Sequence, residues 1–145
     1  MPSRASSRLR AAIRRAFHDG TVFHDTVKAD GSLSAGTSWH SNAFACYFGL
    51  IEGDEARAAL KAMIAGYDRL CRGTPFVYSF MLPALREAGM EREALELIAR
   101  DWGVMLDRDA TTTWETFLGD ERDSLCHPWS TAPFMFLLEL SEPSR

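Results

Sequence analysis

The stretch ATTTWETF, residues 110–117, sets Glu115 directly after Trp114 in a run of threonines, where no helical period claims it. Further along, CHPWS places His127 two residues before Trp129. These residue types can do chemistry: a carboxylate takes a proton from water, an imidazole hydrogen-bonds to hydroxyls, and an indole offers an apolar face. Threonine and tryptophan favour extended backbone, so Trp114 and Glu115 point to opposite sides, and the pattern leaves open which of them faces inward. Glu115 has two readings at this point, a working carboxylate or a loop carboxylate paired with Arg108 or Arg122. His127 also has two, a site residue or a histidine satisfying backbone groups at a helix start. Trp39 and Trp102 sit at helical spacing and are assigned to packing. His18, His24 and His40 show no metal-ligand spacing and no evident carboxylate partner, so they read as surface or cap residues. Cys46, Cys71 and Cys126 are odd in number and form no CxxC pair, which argues against a disulfide framework or structural zinc and makes them reduced, buried fillers. No metal and no cofactor is expected.

A chain of 145 residues supports one domain, 1–145, burying about two thirds of its unfolded surface. With 46% apolar residues, 25% charged residues and a formal net charge of −4, it reads as an ordinary globular chain, neither a nucleic-acid binder nor a disordered tail. No apolar run is long enough to span a bilayer and no secretory signal opens the chain, so a cytoplasmic location is the default. The opening MPSRASSRLRAAIRRAF carries Arg4, Arg8, Arg10, Arg14 and Arg15 with no acid before Asp19. That composition fits a transit peptide. It also fits an amphipathic first helix with Leu9, Ile13 and Phe17 on one face and its arginines in water, and this reading is adopted because the apolar stripe runs straight into folded-looking sequence.

The elements that must position these groups are helices of two alternating kinds. Segment 39–51 is apolar on nearly every side and demands cover all round. Segment 54–71 has Asp54 as its expected N-cap and a single stripe of Ala56, Leu60, Met63, Ile64 and Tyr67. Segment 75–89 is again apolar through most of its length, with Pro75 at its start, a kink expected at Pro83 and Gly89 as its stop. Segment 91–106 returns to one stripe, Ala94, Leu95, Ile98, Trp102 and Met105, with acids in its first turn. The last segment, to about residue 140, is apolar nearly throughout, with Ser130 as its expected cap. Buried and surface helices in alternation predict an all-α fold of αα-hairpins in two layers, as in a helical solenoid or an α/α toroid. Between the first two helices, 20–38 reads as a short β-hairpin turning at Asp30 and Gly31. The connection from 107 to 130 is longer than helix packing requires, and long loops of this kind are often functional.

Taken together, GTPFVYSFMLPALREAG, ARDWGVMLDRDATTTWETF and SLCHPWSTAPFMFLLEL resemble the C-terminal half of the catalytic domain of bacterial α-L-rhamnosidases, in order and at similar separations. SNAFACYFGLI adds a weaker likeness, and the resemblance covers residues 39–140. It implies an (α/α)6 six-hairpin toroid that binds the terminal sugar of a glycoside and hydrolyses it with inversion. By the same resemblance Glu115 is the general base that activates water, His127 contacts the sugar, and Trp114 and Trp129 shape the pocket. The family's general acid sits in the first half of its barrel, in a stretch containing Asp and Arg that has no counterpart before Trp39. About six helices, rather than twelve, then imply half a toroid, inactive alone, which self-associates or meets a partner chain that completes the ring. The alternative is a non-catalytic helical module that binds carbohydrate or another protein, and an unrelated helical scaffold is the third reading.

Overall fold

The computed structural model describes residues 4–141. By its internal contacts the chain is described as two compact units, Met1–Arg72 and Gly73–Arg145. The described residues form six α-helices and contain no strand beyond isolated bridges, so the all-α expectation holds. Among them no helix is long and apolar enough to cross a membrane.

The first unit holds α1 (Arg4–Phe17), α2 (Trp39–Tyr47) and α3 (Gly53–Ala65). Helix α2 begins at Ser38, whose hydroxyl accepts from the N–H of Ser41. It packs on α3 through Trp39, Ala43, Cys46, Ala59, Leu60 and Met63, all buried. Alanines at the contact let the two backbones approach closely. Asp54 lies inside the first turn of α3 and is not its cap; Glu52 holds the N-cap position without a side-chain bond. The carbonyl end of α2 has no basic residue of its own in the last turn, and α1 supplies the cations instead. Arg10 donates to the carbonyls of Phe48 and Gly49, and Arg14 to that of Leu50 at 2.7 Å. Arg14 also grips Glu55 through two bonds, 2.8 and 2.9 Å. The expectation that the arginines simply face water is therefore corrected for these two: unsatisfied carbonyls at a helix end attract them. Leu9, expected on the buried face, is 62% exposed.

Segment 18–38 is a compact loop rather than a hairpin of continuous strands. It does turn at Asp30 and Gly31, where Gly31 takes a φ of +83°, and the isolated bridges His18–Phe23 and Val27–Leu33 pair its arms. One buried side chain ties this loop to α2. Asn42 accepts from the N–H of Phe23 at 2.8 Å and donates to the carbonyls of Phe23 and Ser38 and to the Thr37 hydroxyl, at 3.0, 2.9 and 3.1 Å. The two N–H groups of the amide are shared among these three acceptors and its oxygen takes the Phe23 N–H, so no polar atom of the side chain is left bare in a dry interior.

The second unit holds α4 (Tyr78–Glu87), α5 (Glu91–Leu106) and α6 (Ala132–Ser141), with 3₁₀ turns at Pro75–Val77 and Pro128–Ser130 leading into α4 and toward α6. Pro83 lies inside α4, which continues through it to Glu87. The helix closes where Gly89, at φ +64°, lets the N–H of Met90 reach the carbonyl of Leu85 at 2.8 Å. The buried stripe of α5 is Ala94, Leu97, Asp101, Trp102 and Met105. It is rotated from the expected one, and Leu95 is 41% exposed. On the buried side Asp101 accepts from the Tyr78 hydroxyl, which gives this carboxylate a partner in the interior. Tyr78, Trp102 and Phe117 meet edge to face with centroids 5.0 to 5.7 Å apart.

Segment 39–51, expected to be covered all round, is not, and the last segment, apolar nearly throughout, leaves much of its surface open. On α2, Tyr47 and Phe48 at its C-terminal end are exposed; on α6, Phe134 is 65% and Met135 54% exposed, and only Pro133 and Phe136 are buried. Ser130, expected to cap α6, is buried inside the preceding 3₁₀ turn with its hydroxyl unpartnered. Of the cysteines only Cys46 is buried; Cys71 and Cys126 are exposed thiols.

Candidate functional site

The long connection folds back on itself so that residues 112–115 and 124–127 run side by side. Threonines do much of the fastening. Thr112 donates its hydroxyl to the carbonyl of Leu125. Thr113 holds His127 at both ends, its carbonyl accepting from the His127 N–H at 2.8 Å and its hydroxyl donating to the His127 carbonyl at 2.9 Å. Glu115 and Ser124 are joined next to it: the Glu115 N–H donates to the Ser124 carbonyl at 2.8 Å, and the Ser124 N–H donates to Glu115 Oε2 at 3.2 Å. Glu115 and His127 are thus brought onto adjacent arms of one loop.

The remainder of the loop, 116–123, is closed by short side chains. Thr116 donates to Asp123 at 2.5 Å, and the N–H of Asp120 reaches the same carboxylate at 3.3 Å. Arg122 pairs with Asp120 at 2.8 Å, and that bond holds the Asp120 carboxyl below its usual range. Arg108 donates to the carbonyl of Leu118 at 2.6 Å and lies over the Trp114 ring. Among the described residues, then, neither arginine pairs with Glu115, and that reading of the carboxylate is corrected. Sequence spacing could not show this, because both arginines find closer acceptors within the loop itself.

The open question of parity is also answered. Trp114 is 6% exposed, buried within the loop, while Glu115 is half-buried on the other side. Gly119 lies flat on the indole: a Cβ there would come within 2.3 Å of the Trp114 ring, and its φ of +59° suits glycine. Trp114 therefore braces the loop from beneath. Trp129 is different. It is 53% exposed, with the tilted rings of His127 and Phe76 against it, at centroid distances of 4.5 and 5.2 Å. The His127 imidazole makes no hydrogen bond to backbone among the described residues.

Beside Trp129, between α4 and α6, opens a cavity of about 260 Å³ lined by Ser79, Leu82, Pro83, Met135 and Glu139 among others. It is mostly apolar. Its one carboxylate, Glu139, is paired with Arg86. Neither Glu115 nor His127 lines it, so of the four expected site residues only Trp129 borders this space. The sequence reading missed Thr113, Ser124 and Glu139. Thr113 was legible only as a strand former, Ser124 acts through its backbone, and Glu139 was hidden in a helix read as apolar throughout. Two histidines also have carboxylate partners that were not foreseen, His24 with Asp19 at 2.9 Å and His18 with Glu55 at 3.7 Å. No group of three or more potential metal ligands comes together among the described residues.

Comparison with protein families matches residues 3–140 to the bacterial alpha-L-rhamnosidase 6 hairpin glycosidase domain. Among solved structures, a GH78 family rhamnosidase of Bacillus sp. GL1 is similar, with a TM-score of 0.74 and 29% identity over 93% of this chain and 15% of that one. The chain therefore spans about 15% of the length of that enzyme. No curated protein matches.

Proposed function

From a chain that belongs to the bacterial α-L-rhamnosidase six-hairpin glycosidase family, we propose that this protein carries the water-activating side of an inverting glycosidase acting on a terminal, rhamnose-like sugar. Glu115 is the general base, His127 donates to or accepts from the sugar hydroxyls, Trp129 presents an apolar ring face to the sugar, and Trp114 shapes the pocket from behind by holding the loop. The observation that carries this reading is the paired loop, in which Thr113 clamps His127 while Glu115 joins Ser124 on the neighbouring register.

Inversion in a single displacement needs a second carboxyl about 6.5 to 9.5 Å from the base, protonated, to assist the leaving group. The base removes a proton as the water oxygen attacks the anomeric carbon, and the acid returns one to the departing oxygen. We assign no residue here to the acid; it is supplied by another part of a six-hairpin ring, and the chain alone is inactive or very slow. The exposed apolar residues of α6, Phe134, Met135, Leu137, Leu138 and Leu140, are suited to meeting the helices that complete such a ring, or a second copy. Light scattering on the isolated chain then reports association above the monomer, together with binding of a hydrophobic dye. A clean monomer that binds no dye speaks against the incomplete ring.

The decisive test is p-nitrophenol release from an aryl rhamnoside, because p-nitrophenolate departs with little help from an acid and a slow turnover by the chain alone can be read with it. Glu115→Gln lowers it by about 10²- to 10⁴-fold, and unchanged release removes Glu115 from the base role. A second reading, sugar binding without turnover, is favoured by the exposed face of Trp129 beside His127. Rhamnose titrated against indole fluorescence distinguishes the two: binding without any release supports the module, and loss of both defeats the sugar assignment.

A further inference from the structure

We propose that His24 is a proton-operated latch that fastens the loop 18–38 of the first unit. Its imidazole lies between two acceptors: Nε2 is 2.9 Å from Asp19 Oδ2, and Nδ1 is 2.6 Å from the carbonyl oxygen of Ser34. A neutral imidazole carries one N–H and can serve one of them. The other ring nitrogen would then set its lone pair against an oxygen's. Only the imidazolium, with two N–H donors, satisfies both sides at once. The ring thus joins the start of the loop to its returning arm while it holds a proton, and lets one side go when it does not.

What the latch holds is anchored to the core beside it. The other oxygen of Asp19, Oδ1, accepts from the N–H groups of Thr21 and Val22 at 2.8 and 2.9 Å, so the carboxylate that grips His24 also shapes the turn. His24 donates its own N–H to the carbonyl of Phe17 at 2.8 Å. Its neighbour Phe23 is 3% exposed and has both backbone polar groups bonded by Asn42. On the return arm, Ser34 donates its N–H to Thr26 at 3.0 Å, and Asp25 donates to Gly36 at 3.0 Å. Loosening the His24 bridge releases Ser34 and its arm, while Phe23 stays held by Asn42.

The charges around the ring favour the proton. The hydrogen bond that His24 donates to Asp19 raises its pKa above the ordinary imidazole value, and the charges of Asp19 and Asp25 act in the same direction. The same bond, with backbone donors, holds the Asp19 carboxyl down to about 2. On the α1 side, Arg14, His18 and Glu55 are engaged with one another; on the α2 side, Ser38 and Ser41 give their hydroxyls to Asp25, and His40 rests edge-on against Phe44. A raised histidine contributes its bond in full below its unfolded value and loses it as pH rises through the folded one. A depressed aspartate contributes above its unfolded value and loses it as pH falls toward about 2. The latch is closed between these limits.

NMR titration of the whole chain tests this. His24 is expected to titrate above about 6.5, the ordinary imidazole value. Hydrogen-exchange protection of the Asp25 and Ser34 amides, corrected for intrinsic base catalysis, falls as pH rises through that midpoint, by about tenfold for each unit the midpoint stands above the ordinary value. Asp19→Asn brings the midpoint down and shrinks the step. His24→Gln, which keeps one donor and cannot titrate, abolishes it. A midpoint at or below the ordinary value overturns the proposal, as does protection that stays flat through the midpoint or an equal step in His24→Gln. Should the glutamine variant not fold, Asp19→Asn decides alone: an unmoved midpoint overturns the latch. None of these readouts depends on glycosidase activity.

Discussion

The two units reach order by different physics. In Met1–Arg72 the long connection, 18–38, is fastened by polar groups: buried Asn42 holds Phe23, Asp25 collects the hydroxyls of Ser38 and Ser41, and His24 bridges Asp19 to Ser34. In Gly73–Arg145 the long connection, 107–131, has polar ties of its own through Thr113, Thr116 and Asp123, but these lie over an aromatic floor: Trp114 lies beneath Gly119, Phe117 inserts beside Tyr78 and Trp102, and Trp129 leans on Phe76. A polar loop depends on every donor having its acceptor, and its strength varies with pH. An aromatic floor is indifferent to pH and sensitive to volume. Glu115 follows Trp114 directly, so its backbone is held by that floor as well as by its bonds to Ser124.

The contrast can be broken at its most crowded point. Gly119→Ala forces a Cβ to within 2.3 Å of the Trp114 ring at a φ of +59°, and is expected to cost about 3 kcal/mol or more in denaturant unfolding. If its cost is under about 1 kcal/mol, the loop is not resting on the indole as described. Asn42→Ala attacks the polar unit in the corresponding place. It leaves the N–H of Phe23 without its acceptor, while the Phe23 carbonyl keeps the Thr37 hydroxyl at 2.7 Å, and is expected to cost about 2 kcal/mol, with exchange protection lost across 18–38 and retained across 112–127. Equal loss in both loops would mean that the two units do not differ in the way argued. The smallest effect belongs to Glu55→Gln. The Arg14–Glu55 pair is more than a third exposed at both ends, 38% and 36%, so solvent screening limits the loss to under about 1 kcal/mol. Added salt should reduce that difference further.

Legibility differed between the units for the same reasons. Helices α3 and α5 were readable because each has one apolar stripe, and the stop at Gly89 because only a residue tolerating positive φ ends a helix that way. The loop 110–127 was readable as non-helical from its threonines, and Glu115 as unclaimed by any helical period. The partner of Glu115 was not readable, since the N–H of Ser124 comes from a backbone nine positions away that any residue but proline could supply. The carboxylate partners of His18 and His24 escaped for a similar reason: Glu55 comes from another helix, and Asp19 faces His24 only after the turn at 19–22 has closed. The all-round cover expected for 39–51 followed from composition, which records what a helix must cover but not what is there to cover it.

Local chemistry, legible from residue order alone, determined which segments are helical, that Gly89 closes one of them, that 110–127 leaves the helical pattern, and which family the motifs resemble, because propensity and short-range spacing act within a few positions along the chain. Contacts between distant segments decided the rest: that Trp114 turns inward and Glu115 outward, that Thr113 clasps His127, and that His24 lies between two oxygens. Those choices depend on distances across the fold, where a rotation of a helix by one position exchanges one neighbour for another, as Asp101 does on α5.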